Sequence, residues 1–584
     1  MKKNHILLII VLAVLGTIGA CKSDFLNISP NGALSQDVLG SETGVNALLI
    51  GAYSMVDGTT NQTGNGWQST ASNWVWGDVR GMIANKGTEA GDQPDINPIQ
   101  TYSETSTNSY LNIKWRVLYE GVSRCNNVIS VATKAVKDGK LTQDKADNFI
   151  RQARVLRGWY HFQAWRLWKK VPYIDETVVD PGTVSNDADV NDKIIADLTE
   201  GTKLDGNMGQ IGRWNKYVSE VQLAKALMEM KGDYAGAKTL LADVKANGTN
   251  PKGQALSLYA TYGDIFAIEN RNCSEAVYTV QYSVNDGAGA WNSSVGEVLN
   301  NPYKSGGSPG GCCSFFQPTQ EFVNSFRTSS GLPLLDGTYN SAANVVKNDF
   351  GLKPADAFTP DAGELDPRLD WAVGRRGIPY WDWGVMTGSD WIRDPTYAGP
   401  YQTKKQVYKK SQEKQLTDVS SWTSGYTANG YRMIRFADVL LLLAEAQIKT
   451  NDLAGARDNI NLVRARAANS AGWVKMTDGT NAANYVINQY PASGYPFDNP
   501  TNAMLALQME RKLELGMEGH RYFDLNRWGN TVTELNRILT YEKTTPWGNN
   551  CYGTATVGSE DVTVPVPQRQ IDLSNGKITQ NTGH

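Results

Sequence analysis

The 584-residue chain is 41 % apolar and 20 % charged, with a formal net charge of −3. That length admits a large core or more than one domain, and the near-balanced charge argues against nucleic acid, which calls for a basic face. Cys125, Cys273, Cys312, Cys313 and Cys551 follow Cys21 at irregular spacing, so neither a disulfide framework nor a zinc site is expected.

Lys2 and Lys3 precede an unbroken apolar run from Ile6 to Leu15. This is the charged start and apolar stretch of a secretory signal, too short to span a bilayer. Ile18-Gly19-Ala20-Cys21 then sets small residues before a cysteine, as cleavage ahead of a lipid-modified cysteine requires. Residues 1–20 are expected to be removed and Cys21 to carry acyl chains, several of which anchor stably where one would not. Loss of the two lysines leaves 21–584 at −5. That part is expected outside the cytoplasm, touching a membrane through the anchor only.

Helical patterns dominate about 40–245 and 430–530, whereas about 250–430 is rich in glycine, proline and aromatics. Ala153, Leu156, Trp159, Tyr160 and Phe162 recur at helical spacing in a segment ending before Pro172. Val221, Ala224 and Met228 stripe a further helix, Gly232-Asp233 turns the chain, and Tyr234, Ala237, Leu241 and Val244 stripe the next. The same unit returns with Ile434, Ala437, Leu441, Ala444 and Ile448, a turn at Asn451-Asp452, then Leu453, Ala456, Ile460 and Val463. Recurring helix pairs with small residues at the crossing are tetratricopeptide-like, an architecture that scaffolds binding. In the middle block Ala276–Gln281 alternates like a strand, and long glycine-rich loops follow, a length usually tied to function. Cys312 and Cys313 read as two buried thiols, with a strained vicinal bridge as the alternative.

Motifs for chemistry are missing. There is no His-Glu-x-x-His helix, no G-x-S-x-G elbow and no phosphate-cradling loop. His161 and His520 sit among aromatics and arginines and read as packed structural side chains. Asp366, Asp370, Asp382 and Asp390 read as salt-bridge and turn residues, although paired carboxylates of a glycosidase can lie anywhere in a sequence. The seventeen tryptophans say more. Trp74 and Trp76 lie among Asn, Ser, Thr and Gly, and Trp291 follows Gly287-Ala-Gly-Ala290. In Tyr380-Trp381-Asp382-Trp383 an extended backbone would put both indoles on one face. Flat aromatic faces suit the apolar faces of sugar rings, so Trp74, Trp76, Trp291, Trp381 and Trp383 are the expected ligand contacts and no residue is assigned a catalytic role. Each indole could instead plug a loop onto the core, since tryptophan is highly buried on average.

Tyr431-Arg-Met-Ile-Arg-Phe-Ala-Asp-Val-Leu-Leu-Leu-Leu-Ala-Glu-Ala446 and Glu510-Arg-Lys-Leu-Glu-Leu-Gly-Met-Glu-Gly-His-Arg-Tyr-Phe-Asp-Leu-Asn-Arg-Trp528 resemble two signature words of the SusD/RagB family. Arg124-Cys-Asn-Asn127, Asn272-Cys-Ser-Glu275, Asp366-Pro-Arg-Leu369 and Val564-Pro-Val-Pro567 extend the resemblance over essentially all of 21–584. It implies an all-α-dominated fold, an α-α superhelix of four tetratricopeptide-like pairs supporting a loop-rich, irregular binding subdomain with a few short strands. It also implies an outer-membrane lipoprotein facing the cell exterior. Such a protein binds a glycan, delivers it to a SusC-like TonB-dependent transporter, and is not an enzyme. A peptide-binding lid of such a transporter is the alternative; a surface glycosidase and a purely structural lid rank lower. The resemblance makes Glu514, Arg521 and Asp524 structural, bonding helix ends and each other. No cofactor or metal is expected, and whether a calcium ion orders a loop stays open. Surface-export signals often place several acidic residues after the cysteine, whereas Lys22-Ser-Asp24 has one.

Overall fold

The computed structural model describes residues 36–59, 66–303 and 307–584. Cys21 and the signal segment lie outside the described residues. Helix α1 (Glu42–Ser54) starts at Ser41, whose hydroxyl accepts the Gly44 amide at 3.1 Å, satisfying one of the free N–H groups of a helix start. It packs on the long antiparallel pair α2 (Ser109–Lys137) and α3 (Gln143–Trp168). At their crossing a Cβ on Gly121 would run into the Tyr160 ring, so only glycine allows this approach. Helix α4 (Asn191–Glu200) crosses α3, fixed by Asp197, which takes the Arg157 guanidinium at 2.7 and 2.8 Å.

The two repeated hairpins are α5 (Lys216–Ala226) with α6 (Tyr234–Asn247), and α7 (Phe436–Lys449) with α8 (Leu453–Ala467). Each turn uses the chemistry read from its sequence. Gly232 and Asn451 take φ of +63° and +62°, and Asp233 and Asp452 cap the second helices through the Gly236 and Gly455 amides. The hairpins stack α6 against α7. Lys238 reaches Asp452 at 3.0 Å and Lys245 reaches Asn459 at 2.7 Å, both 214 residues apart, so α6 runs in constant register past the second hairpin. One expectation needs correcting: Ile434 does not begin the helical stripe of α7. Residues Tyr431–Arg435 form a strand paired antiparallel with Ala276–Val280, with every residue of both strands buried. Phe436, whose amide bonds the Glu275 carbonyl at 2.8 Å, is the first helical residue. A second short ladder pairs Ala84–Gly87 with Phe315–Pro318. The remaining strands are two residues long.

Helices α9 (Pro500–Leu515), α10 (Arg521–Trp528) and α11 (Thr531–Glu542) close the core and carry the second signature word. Its charged residues form a buried ionic seam. Glu514 accepts from Arg368, Arg435 and Arg466 at 3.0, 2.9 and 2.5 Å, and Glu510 from Arg368 and Arg464 at 2.6 and 2.9 Å. Asp524 takes Arg511 at 2.9 Å and Arg527 at 2.8 Å, while Arg521 goes to Glu534. These residues are therefore structural but do not bond one another; each ties a different segment of chain to α9 and α10. Burial alone would raise the Glu514 carboxyl, but Arg466, Arg435 and Arg368 outweigh it and hold it far below the usual range. Gly519 (φ +80°) presses on the backbone of Ser72, leaving no room for a Cβ. Its amide and that of Arg521 bond the Asp78 carboxylate. The signature turn thus clamps the segment that carries Trp74 and Trp76.

Candidate functional site

The structure separates the five expected tryptophans. Trp74 and Trp76 are each only 1 % exposed, in one wide helical turn (Trp74–Val79) beneath the Gly519 turn. Their indole N–H groups donate to the carbonyls of Gly296 and Gln68, both at 3.0 Å, and the Trp74 ring meets Phe315 and Phe316. Neither can touch a ligand, because the polar sequence around them is itself folded into the core. Trp381 and Trp383 do not share an extended strand. The bonds Tyr380 N–H to Gly384 and Trp383 N–H to Tyr380 close a tight turn, with Trp381 at φ +50°. Both are half-buried: Trp381 packs on Trp371 at 5.0 Å and Trp383 edge-on to Tyr408 at 5.7 Å, and neither lines either cavity described below. Trp291 is different. It is 46 % exposed, and of the seventeen tryptophans only Trp422, at 61 %, is also exposed.

Trp291 and Trp422 stand on two neighbouring loops that brace each other. In the first, the Asp286 carboxylate accepts from Ser283, from Asn292 at 2.8 Å and from the Ala288 amide at 3.0 Å, pinning both ends of the loop. The Ser283 and Asn292 bonds hold its carboxyl down at about 2. In the second, Thr417 bridges to Thr427, and Asp418 N–H donates to the Tyr426 carbonyl at 2.8 Å. The Asp418 carboxylate accepts the Ser420 and Ser421 amides, both at 2.9 Å. The Trp422 indole donates to the Tyr426 hydroxyl at 3.1 Å, its ring edge-on to that phenol. Between the loops, Asn285 donates to the carbonyls of Lys414 and Thr417 at 3.2 and 3.1 Å and accepts the Val419 amide at 3.1 Å. Ser294 and Thr427 share three bonds: Ser294 N–H to the Thr427 carbonyl at 2.9 Å, Thr427 N–H to the Ser294 hydroxyl at 3.1 Å, and hydroxyl to hydroxyl at 3.0 Å.

A third loop supports the second from behind: Thr423 donates to the Gly310 carbonyl, and the Gly310 amide bonds the Tyr408 hydroxyl at 3.0 Å. Here the alternative reading holds: Cys312 and Cys313 are joined as a vicinal disulfide rather than being two thiols. Both sulfurs sit at a corner where Cys313 N–H bonds Leu299 and Ser314 N–H bonds Asn301.

Trp291 lines two cavities. The smaller, about 180 Å³, is walled by Trp67, Ala290, Trp291, Val295, Ser421 and Tyr426. The larger, about 1160 Å³, is a cleft floored by Trp115 and Tyr119 of α2, with Trp291 and Ala288 on one rim and residues 174–181 on another. Trp422, Asn285 and Asp286 were not legible as site residues, though Ser420-Ser-Trp-Thr-Ser-Gly425 surrounds its indole with small polar residues much as Trp291 is surrounded.

His161 and His520 are packed structural residues. The His161 Nε2 accepts the Ile174 amide at 3.1 Å, which leaves Nδ1–H for the Arg157 carbonyl, and burial lowers the pKa of each imidazole to about 4. The aspartates of the aromatic stretch are all engaged: Asp366 with Arg368, Asp370 with Arg375, Asp382 with two amides and Asp390 with Thr387. Among the described residues no cluster of three or more His, Cys, Asp or Glu side chains is arranged to hold a metal ion, and no helix is long and apolar enough to cross a membrane.

The sequence profile described as the SusD family matches residues 274–584. The chain belongs to the SusD family. A second profile, described as starch-binding and associating with the outer membrane, matches residues 24–208. Among solved structures, surface glycan-binding protein A from Bacteroides fluxus is similar over 93 % of this chain and 100 % of its own, with 19 % identity and a TM-score of 0.66. A laminarin-binding SusD-like protein is similar over 93 % and 100 %, at 18 % identity and a TM-score of 0.63. Surface glycan-binding protein A from Bacteroides thetaiotaomicron, in complex with laminarihexaose, is similar over 93 % and 99 %, at 18 % identity and a TM-score of 0.62. At such identities these neighbours establish the fold. No curated protein matches the chain.

Proposed function

We propose that the protein is a glycan receptor that holds a sugar chain by stacking on Trp291 and Trp422. The observation that carries this reading is that the two exposed tryptophans stand on mutually braced loops: Trp291 lines both the small cavity and the large cleft, and Trp422, itself outside both linings, stands on the loop whose Ser421 and Tyr426 wall the small one. Exposed indoles cost free energy in water, and rigid bracing means little loop entropy is lost when they are covered. The SusD fold and the glycan-binding neighbours support the same assignment. The receptor serves a SusC-like TonB-dependent outer-membrane transporter, tethered through acylated Cys21 on the cell exterior.

Affinity gel electrophoresis of the mature chain against neutral polysaccharides, laminarin first, tests the binding. Retardation is expected, and Trp291→Ala with Trp422→Ala should abolish it at unchanged melting temperature; retained binding in that double variant would sink the site. Calorimetry with peptide pools and release of reducing sugar distinguish the peptide-binding and glycosidase readings. Co-purification with a transporter, and digestion by protease added to whole cells, test the partner and the tether.

A further inference from the structure

Helix α2 turns one polar stripe into the large cleft: Arg116, Glu120, Ser123, Asn127 and Ser130, all exposed and spaced three or four residues apart on one face. The stripe runs about 20 Å at 1.5 Å per residue. Glu120 is taken by Arg124 at 2.8 Å. Arg116, Ser123, Asn127 and Ser130 bond no side chain among the described residues, so their polar groups are free for a ligand. The cleft's charges are largely settled internally: Glu176 is paired with Arg157, and Asp175 accepts the Thr177 amide and hydroxyl at 3.0 and 2.6 Å. Burial pushes the Asp57 carboxyl up to about 7, against the bonds it receives from Thr59. The lining still holds four carboxylates, Asp57, Glu120, Asp175 and Glu176, against the two guanidiniums of Arg116 and Arg124, so a carboxylated or sulfated chain is disfavoured there. At about 1160 Å³ the cleft exceeds the roughly 300–1000 Å³ of typical small-ligand pockets, whereas the 180 Å³ cavity falls below that range. Trp291 lines both.

We propose that the cleft along α2 is the second half of the binding site, and that the ligand is an internal stretch of a neutral glycan running over Trp291 from one cavity into the other. This rests on the glycan-binding reading and adds the length and charge class of the chain. Trp291 stacks on a ring at the divide, and the α2 stripe takes hydroxyls further along. Contacts at both halves then act together on one chain, so affinity rises with chain length until both are filled.

Titration calorimetry of the full mature chain tests this with laminarin, xylan and mannan, alginate and polygalacturonate as acidic probes, and di- to octasaccharides of whichever neutral glycan binds. The variant is Arg116→Ala/Ser123→Ala/Asn127→Ala, in which alanine preserves the helix; Asn127→Ala alone replaces it if melting temperature falls. The expected result is about tenfold weaker binding of the polysaccharide, from several lost hydrogen bonds, with the disaccharide unaffected. Wild-type polysaccharide affinity in this variant, alongside loss in Trp291→Ala, would overturn the second half while leaving the receptor reading intact. Binding of the acidic probes alone would overturn the neutral class. Binding of none of the five polysaccharides would overturn both.

Discussion

The ionic seam around Glu514 and the aromatic face around Trp291 invert the usual placement of residue types. Glu510, Glu514, Arg368 and Arg464 are fully buried charges, whereas Trp291 and Trp422 are exposed rings. The buried charges endure because each carboxylate meets several guanidiniums. A seam of this kind fixes which segments meet more than it adds stability, since the attraction only offsets the cost of desolvation. The exposed rings endure because hydrogen-bonded loops hold them. The strongest sequence signal therefore marks the scaffold, and the weakest marks the surface proposed to meet a glycan.

Changes in the two regions are expected to separate into stability effects and binding effects. The largest is expected for Glu514→Gln, which leaves three buried guanidiniums short of a partner. It should cost about 3–5 kcal/mol, read as a lower urea midpoint, while the folded fraction binds glycan as before. Trp76→Ala, at a position once expected to face ligand, should cost about 3–4 kcal/mol through the cavity it opens, again with unchanged affinity. A comparable loss of affinity without loss of stability would return Trp76 to the site.

The pH dependence tests the scaffold in another way. The His161 imidazole is held near 4 against an ordinary 6.5, so below pH 6.5 the unfolded chain takes up a proton that the folded chain refuses. Stability from this residue is present above 6.5 and is lost as pH falls towards 4, by about 3 kcal/mol at 1.36 kcal/mol per pH unit. His161→Gln should flatten that part of the curve in parallel denaturant titrations.

On the aromatic face, Trp291→Ala and Trp422→Ala should each remove about 1–1.5 kcal/mol of glycan binding, roughly tenfold in affinity, with little change in melting. The smallest effect sharpens the comparison most. Asn285→Ala removes the brace between the loops but no ligand contact, and should weaken binding about fivefold by loosening the platform. A shortened polysaccharide residence time with intact indoles would show that positioning contributes to the site.

The helical blocks were legible because their periodicity and caps are local. Gly232-Asp233 and Asn451-Asp452 turn the chain, and the stripes of both hairpins are buried apart from the half-buried Tyr234 and Leu453 that open the second helices. Ile434 fell on the wrong element because five apolar and arginine positions ahead of a helix read alike as strand or helix until the partner strand Ala276–Val280 is known. Trp74 and Trp76 were misplaced because a polar context at sequence level says nothing about the glycine contact that clamps it: Gly519, more than four hundred residues away, buries that segment.

By itself the sequence determined the helix pairs, their turns and the family to which the chain belongs, all of which rest on short-range spacing and on words of adjacent residues. Only the tertiary structure decided which tryptophans face outward. The exposure of an indole depends on what packs over it: the Gly519 turn that covers Trp74 and Trp76 lies more than four hundred residues away, and the Asn285–Val419 and Ser294–Thr427 bonds that join the Trp291 and Trp422 loops each span more than a hundred.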